Sequence, residues 1–206
     1  MNNSWNKFIY RIGAPFYDAL FNSGSFLRAR KQVFDDLPLL AGQHILIVGV
    51  GTGADLCFFA KQDIQITAID ISSSMISQAK EKVSTQMNID FIEMDAQHLL
   101  FPDKSFDMII ANLILSVVPD ANRCMQEIIR VTKEHGNIVV FDKFESKHKK
   151  LSFGKQLLRP IISILGTDIG RNFETMIEPF HKKVIIQEDT PVLFNGMYRK
   201  IIMKSQ

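Results

Sequence analysis

The sequence predicts a doubly wound α/β fold: a mostly parallel seven-stranded sheet with helices on both faces and a C-terminal antiparallel hairpin. Three observations predict it. After residue 43, short apolar runs alternate with longer helical stretches, the pattern of strand–helix–strand units joined by right-handed crossovers. Residues 44–49, HILIVG, are branched and apolar on both faces, as a parallel strand covered from both sides requires. Near the C-terminus, Asn195-Gly196 divides two apolar runs, a hairpin signal.

Taken in order, residues 4–36 read as helical and precede the first strand at 44–49. A helix over 54–62 and a strand over 64–70 follow. Residues 72–86 read as a helix, with Ser72 to Ser74 offering a capping hydroxyl. Strands are expected at 89–94, 106–112 and 137–142. The helix at about 120–133 separates the last two, with Gly136 placed to terminate it. Residues 144–180 read as a mainly helical insertion, and strands at 183–188 and 197–203 close the sheet. The whole chain, 1–206, is expected to form a single domain. Its parts are an N-terminal helical cap (1–40), a ligand-binding core (41–143), a helical insertion on the substrate side (144–182) and the closing hairpin (183–206).

At 206 residues the chain can bury a full core. Its 46% hydrophobic and 22% charged content argues against disorder. A net charge of +2 is too small to imply a nucleic-acid binder. Cys57 and Cys124 have no metal-ligand spacing and read as reduced core or near-core thiols. The N-terminus lacks the basic-then-apolar pattern of a secretory signal, and no apolar run approaches the roughly 20 residues that span a bilayer. A cytoplasmic protein is expected, with peripheral membrane contact left open and no metal.

Gly49-Val50-Gly51-Thr52-Gly53 sits between a strand and a helix. Glycines there permit positive φ and let the backbone approach a ligand without an intervening Cβ. Gly49-x-Gly51-x-x-Ala54, with Asp70 about 20 residues on, satisfies a loose dinucleotide fingerprint. By itself the glycine motif does not separate NAD from S-adenosylmethionine, since either presents ribose hydroxyls to an acid ending the second strand.

The blocks that follow are more specific: Asp70-Ile71-Ser72-Ser73-Ser74-Met75, then Phe91-Ile92-Glu93-Met94-Asp95-Ala96, then Leu100-Phe101-Pro102-Asp103-Lys104-Ser105-Phe106-Asp107. Ala111-Asn112-Leu113-Ile114-Leu115 and the run from Glu127 through Arg130 to Gly136 complete the set. Over roughly residues 40–145 the chain resembles class I methyltransferases, especially the ubiquinone/menaquinone-biosynthesis and bacterial phospholipid N-methyltransferase branch. The resemblance implies S-adenosylmethionine as cofactor and S-adenosylhomocysteine as product. It places Gly49, Val50, Gly51 and Gly53 at the methionine part and Asp70 on the ribose hydroxyls. Ile71 and Met75 would lie near the adenine, Asp95 on its exocyclic amine and Ala96 near a ring nitrogen. Asn112 and Leu113 would line the reactive end. One departure stands out: many relatives carry an acid two residues before the first glycine, where this chain has Ile47.

A methyl transfer needs a nucleophile held in line and water excluded; a general base is optional. No triad is evident. His44, His98, His135, His148 and His181 read as surface or capping residues, because none has a clustered partner. Tyr17, in Phe16-Tyr17-Asp18, and Asp142, beside Lys143 at the end of the fifth strand, are the catalytic candidates. Each is matched by a plainer role in packing or loop capping.

Nucleic acid is disfavoured as acceptor, since Asn112-Leu113-Ile114-Leu115 lacks the Asn/Asp-Pro-Pro-aromatic pattern of base-amine methyltransferases. Residues 143–159 hold Lys143, Lys147, Lys149, Lys150, Lys155 and Arg159 against Glu145, interleaved with apolar residues. Such a segment suits an anionic membrane or an amphiphilic substrate, and equally a lid helix burying one face on its own domain. The expected partner is therefore a small, hydrophobic or lipid-like acceptor, a phospholipid amine or quinone-like ring. Two alternatives stay open here: an NAD(P)-dependent oxidoreductase, and a non-catalytic methyltransferase-like binding domain, the latter motivated by Ile47.

Overall fold

The computed structural model describes residues 24–60, 63–83, 87–145 and 170–206. Seven strands make one sheet: β1 (His44–Val48), β2 (Gln65–Asp70), β3 (Asn88–Glu93), β4 (Phe106–Asn112), β5 (Thr132–Lys143), β6 (Val184–Leu193) and β7 (Tyr198–Ser205). Their order is β3-β2-β1-β4-β5-β7-β6. Pairs from β3 through β5 are parallel, while β7 runs antiparallel to both neighbours. Among the described residues the α-helices are α1 (Gly24–Phe34), α2 (Ser73–Glu81), α3 (Ala121–Val131) and α4 (Phe173–Ile177).

Because strand side chains alternate between faces, the sheet sorts its residues into two cores. Leu46, Val48, Ile109, Ala111, Ile138 and Val140 face α3 and α4. Ile45, Ile47, Met108, Ile110, Val139 and Phe141 face the other way, against Phe26, Ala29 and Val33 of α1 and Ala79 of α2. Both faces are covered, which is why β1 reads as an unbroken apolar run. Among the described residues no helix is long and apolar enough to cross a membrane.

Several boundaries differ from expectation. Of the helix expected at 54–62, the described residues 54–60 form only a 3-10 turn, Leu56–Phe59. In a 3-10 turn residues i and i+3 eclipse, so this short piece already buries Leu56 and Phe59. It turns Cys57 outward, so that thiol is exposed rather than near-core. Ser72 does stand at the N-cap of α2, but its hydroxyl meets Ser74 Oγ at 2.9 Å and makes no capping bond.

Helix α3 ends at Val131, well before Gly136. Thr132 leaves the helix in extended conformation, its Oγ1 donating back to Ile128 O at 2.7 Å. Gly136 lies within β5, where pairing with β4 jumps from Phe106↔Thr132 to Met108↔Asn137. A Cβ there would stand 2.8–2.9 Å from Thr132 Cγ2 and the carbonyl oxygens of Asp107 and Lys133. Gly136 thus serves close backbone passage, not helix termination. At the C-terminal edge, β6 runs five residues past its expected end, to Leu193, with Pro191 inside it. An edge strand tolerates proline because its outward N–H needs no partner.

Candidate functional site

The sheet order reverses at β1: β2 and β3 extend to one side, β4 and β5 to the other. Loops leaving a reversal point part in opposite directions and open a crevice at the carboxyl ends of the strands. Here the crevice is an open cleft of about 840 Å³. It gathers Gly49 and Gly51 after β1, Asp70 and Ile71 at the end of β2, Asp95 and Ala96 after β3, and Asn112 and Leu113 at the end of β4, with Met75 from α2.

The glycine turn is held from both sides. Gly49, Gly51 and Gly53 have φ of +75°, +55° and +76°. The amides of Gly49 and Val50 donate to Ile69 O at 2.9 Å, and that of Gly51 donates to Asp70 Oδ2 at 2.9 Å. Asp70 Oδ1 accepts from the Ser72 amide at 2.9 Å. One carboxylate therefore ties the turn to the start of α2 and stands at a fixed place on the cleft wall. Val50 and Gly53, expected in the same site, do not line it. The Val50 side chain is buried on the α1 side of the sheet, and a Cβ on Gly53 would come within 2.9 Å of Ala79 Cα and Cβ. Gly53 lets α2 approach the turn.

Asp95 is oriented by Gln97, whose backbone and side-chain amides each donate to Asp95 Oδ1 at 2.9 Å. Gln97 Oε1 in turn accepts from the Asp120 amide at 2.8 Å, at the start of α3. The rest of that loop is pinned by two α3 residues. Glu127 Oε2 accepts from the Leu99 amide at 3.0 Å and from Arg130 at 2.9 Å. Arg130 donates to the carbonyls of Leu99 and Phe101 at 2.8 Å each and to Asp103 at 2.7 Å. Burial raises the Glu127 carboxyl, but Arg130 and the Leu99 amide outweigh it and hold the group below its ordinary value. Glu127 and Arg130 stand in one of the blocks that carry the family resemblance, but local spacing does not give them this role, nor Gln97 its own; the partners lie about 23 to 31 residues away.

A second group that sequence reasoning missed lies behind Asn112. Asp55, just after the glycine turn, accepts from Arg30 Nε at 2.5 Å and from Asn112 Nδ2. Arg30 is 2% exposed and comes from α1. Burial pushes the Asp55 carboxyl above its ordinary value, against the opposing pull of Arg30 and Asn112.

The far wall of the cleft is apolar: Leu113, Ile114, Val117 and Val118. Leu113 holds a φ of +54°, fixed by its amide donating to Phe141 O at 2.8 Å; a non-glycine residue there is uncommon and strained. Asp142 is fully buried and is not among the lining residues. Its Oδ2 accepts from the Ser116 amide at 3.0 Å and its Oδ1 from the Lys143 amide at 2.7 Å, while burial raises its carboxyl above the ordinary value. Arg171 holds the same wall by donating to Val118 O. The Arg171 carbonyl accepts from the Glu145 amide at 2.7 Å. Tyr17 and His148 lie outside the described residues. His44, rather than facing the cleft, meets Thr67 Oγ1 at 2.9 Å and stacks edge-on with Phe106. Among the described residues no cluster of three or more His, Cys, Asp or Glu side chains could hold a metal.

A family model described as "Methyltransferase domain" matches residues 46–140. A phosphatidylethanolamine N-methyltransferase of Cereibacter sphaeroides is 31% identical over 161 residues, 76% of this chain and 77% of that protein. A demethylmenaquinone methyltransferase of Renibacterium salmoninarum is 34% identical over 130 residues, 62% of this chain and 54% of that protein; this chain spans about half its length. The crystal structure of a SAM-dependent methyltransferase from Aquifex aeolicus matches with a TM-score of 0.65 at 18% identity, over 92% of this chain and 97% of the other, a likeness of fold.

Proposed function

This chain belongs to the class I S-adenosylmethionine-dependent methyltransferases, and we propose that it methylates a hydrophobic or amphiphilic small molecule, such as a phospholipid amine or a quinone-like ring. Bound S-adenosylmethionine supplies a methyl group made electrophilic by its sulfonium. The residues present fit that cofactor. A Cβ on Gly51 would meet nothing within 4 Å, so the bare backbone leaves room at the methionine end. Asp70 offers a fixed carboxylate to the ribose hydroxyls. Ile71 and Met75 would flank the adenine, with Asp95 and the Ala96 amide available to its polar edge; all four line the cleft.

What remains for the chain is to orient the acceptor and keep water away. Leu113, Ile114, Val117 and Val118 form the water-excluding wall in this reading. Asp142 belongs behind that wall, holding Ser116 in place, instead of touching the acceptor. Tyr17 is the candidate for orienting the acceptor from the segment before α1.

The observation that carries the acceptor class is the basic, apolar run of the sequence from Lys143 to Arg159, of which residues 146–159 lie outside the described residues. Glu145 and Arg171 are bonded to each other, and Arg171 reaches Val118. A basic amphipathic segment favours an anionic membrane surface and amphiphiles presented there. The acceptors named for the two relatives, a phospholipid amine and demethylmenaquinone, are of that kind.

Two measurements test this. In calorimetry, S-adenosylhomocysteine should bind saturably and NADH should not. Asp70→Ala should weaken binding about a hundredfold, since charge-assisted bonds contribute roughly 1.5–3 kcal/mol. Binding of NADH alone would overturn the cofactor assignment. In the second, label from methyl-labelled cofactor should enter phosphatidylethanolamine vesicles or a demethylated quinone in detergent. Turnover confined to small polar acceptors would rule out the acceptor class.

A further inference from the structure

The group behind Asn112 has a chemistry that the cleft itself does not explain. Asn112 continues the β4 face of Met108 and Ile110, which looks toward α1. Ile47 lies on that same face, paired in register with Ile110. It is 3% exposed and brings no charge. The charge on this face arrives from the 3-10 turn instead, as Asp55, paired with Arg30.

A carboxylate can only accept hydrogen bonds, so the Asn112 edge that meets Asp55 must be its Nδ2. That fixes the other edge. Asn112 Oδ1 is buried with no hydrogen-bond partner among the described residues, on a side chain that belongs to the cleft lining. A buried acceptor left unmatched is costly, so a group like this one calls for a partner that completes it. The matching group must be a donor, and beside a glycine turn at a cofactor's amino-acid end the donor at hand is a primary ammonium.

We propose that Asp55, itself oriented by Arg30, is a positioning residue for the amino-acid end of the cofactor, acting by locking the Asn112 amide with Oδ1 toward the α-ammonium. The proposal rests on the cofactor orientation argued above. Asp55 occupies the role of an electrostatic anchor on a face where β1 presents isoleucine.

Two ligands read this out by calorimetry: S-adenosylhomocysteine, which carries the amino-acid tail, and 5′-methylthioadenosine, which has adenine and ribose without it. In Asp55→Asn the new amide can donate to Asn112 Oδ1, letting the Asn112 amide turn over and present Nδ2 to the ammonium. S-adenosylhomocysteine should lose at least about tenfold in affinity, the scale of one charge-assisted bond, while 5′-methylthioadenosine is unchanged. The exchanged pair Asp55→Asn/Asn112→Asp should recover the preference, because the carboxylate moved to the β4 position would accept from the amide moved to the turn and keep one oxygen for the ammonium. Proportional loss of both ligands in Asp55→Asn, or no loss of either, overturns the proposal. If Asp55→Asn fails to fold, Asn112→Ser, which keeps the Arg30–Asp55 pair, decides by the same comparison. Asp70→Ala should weaken both ligands; affinities unchanged for both would bring down the cofactor orientation, and the Asp55 proposal with it.

Discussion

Replacing Gly51 and Gly53 by alanine, one at a time, should separate ligand binding from folding within a single turn. Both residues have positive φ, +55° and +76°, so each alanine carries a backbone strain of about 1 kcal/mol. At Gly51 nothing stands within 4 Å of the added Cβ. For Gly53 the methyl would lie 2.9 Å from Ala79 Cα and 3.0 Å from Leu56 Cδ1, and overpacking against a helix backbone adds about 2 kcal/mol. In a chain of 206 residues, each kcal/mol moves Tm by roughly 2–4 °C. Gly51→Ala should therefore lower Tm by about 3 °C and Gly53→Ala by about 9 °C. Binding should rank the other way. The Gly51 methyl would project into ligand space, with an expected affinity loss for S-adenosylhomocysteine of about thirtyfold, equivalent to about 2 kcal/mol. Folded Gly53→Ala should bind within a fewfold of the parent. Scanning calorimetry and isothermal titration give both quantities. Equal Tm losses with undiminished binding in Gly51→Ala would refute the assignment of this turn as the ligand cradle.

Two further outcomes follow from the electrostatics. Glu127 has its carboxyl held below the ordinary value, so its contribution to stability is present above the unfolded pKa and is lost as pH falls through the folded one. Glu127→Gln should cost roughly 1.5–3 kcal/mol near neutrality, with the Tm curves of parent and variant converging in acid; a pH-independent gap would contradict this. The two thiols should also differ. Cys57 is exposed, whereas Cys124 is fully buried and burial pushes its thiol up. Native protein should take up one equivalent of iodoacetamide, at Cys57, and denatured protein two; comparable native labelling of Cys124 would argue against the buried placement.

Much of the fold is written in local pattern. Strand β4 matches its expected span of 106–112 because a short apolar run of strand length follows the turn residues Asp103-Lys104-Ser105. Gly49, Gly51 and Asp70 were legible from the glycine fingerprint and its acid about 20 residues on, whereas Asp95 and Asn112 entered only through the resemblance to class I methyltransferases; the structure gathers all five in one cleft at the carboxyl ends of strands. Boundaries failed where a tertiary contact overrode the local signal. Gly136 looks like a helix stop, yet a neighbouring strand's close passage is what excludes a side chain there. The 54–62 stretch looks helical, yet Asp55 is drawn inward to Arg30 and Asn112.

The sequence by itself determined the layer architecture and the closing hairpin, since these depend on periodicity and on turn chemistry within a few residues; the residues assigned to the cofactor entered through the motif blocks and the family they resemble. Only the tertiary structure decided that Gly53 serves helix packing, that Asp142 braces Ser116 from behind the wall, and that Asp55 reaches Asn112. For the two carboxylates the physical reason is the same. A buried polar group must find its partner wherever the fold supplies one, and these partners lie 26 and 57 residues away along the chain. For the glycine, the neighbour is a helix residue, Ala79, whose approach depends on how α2 is seated against the sheet.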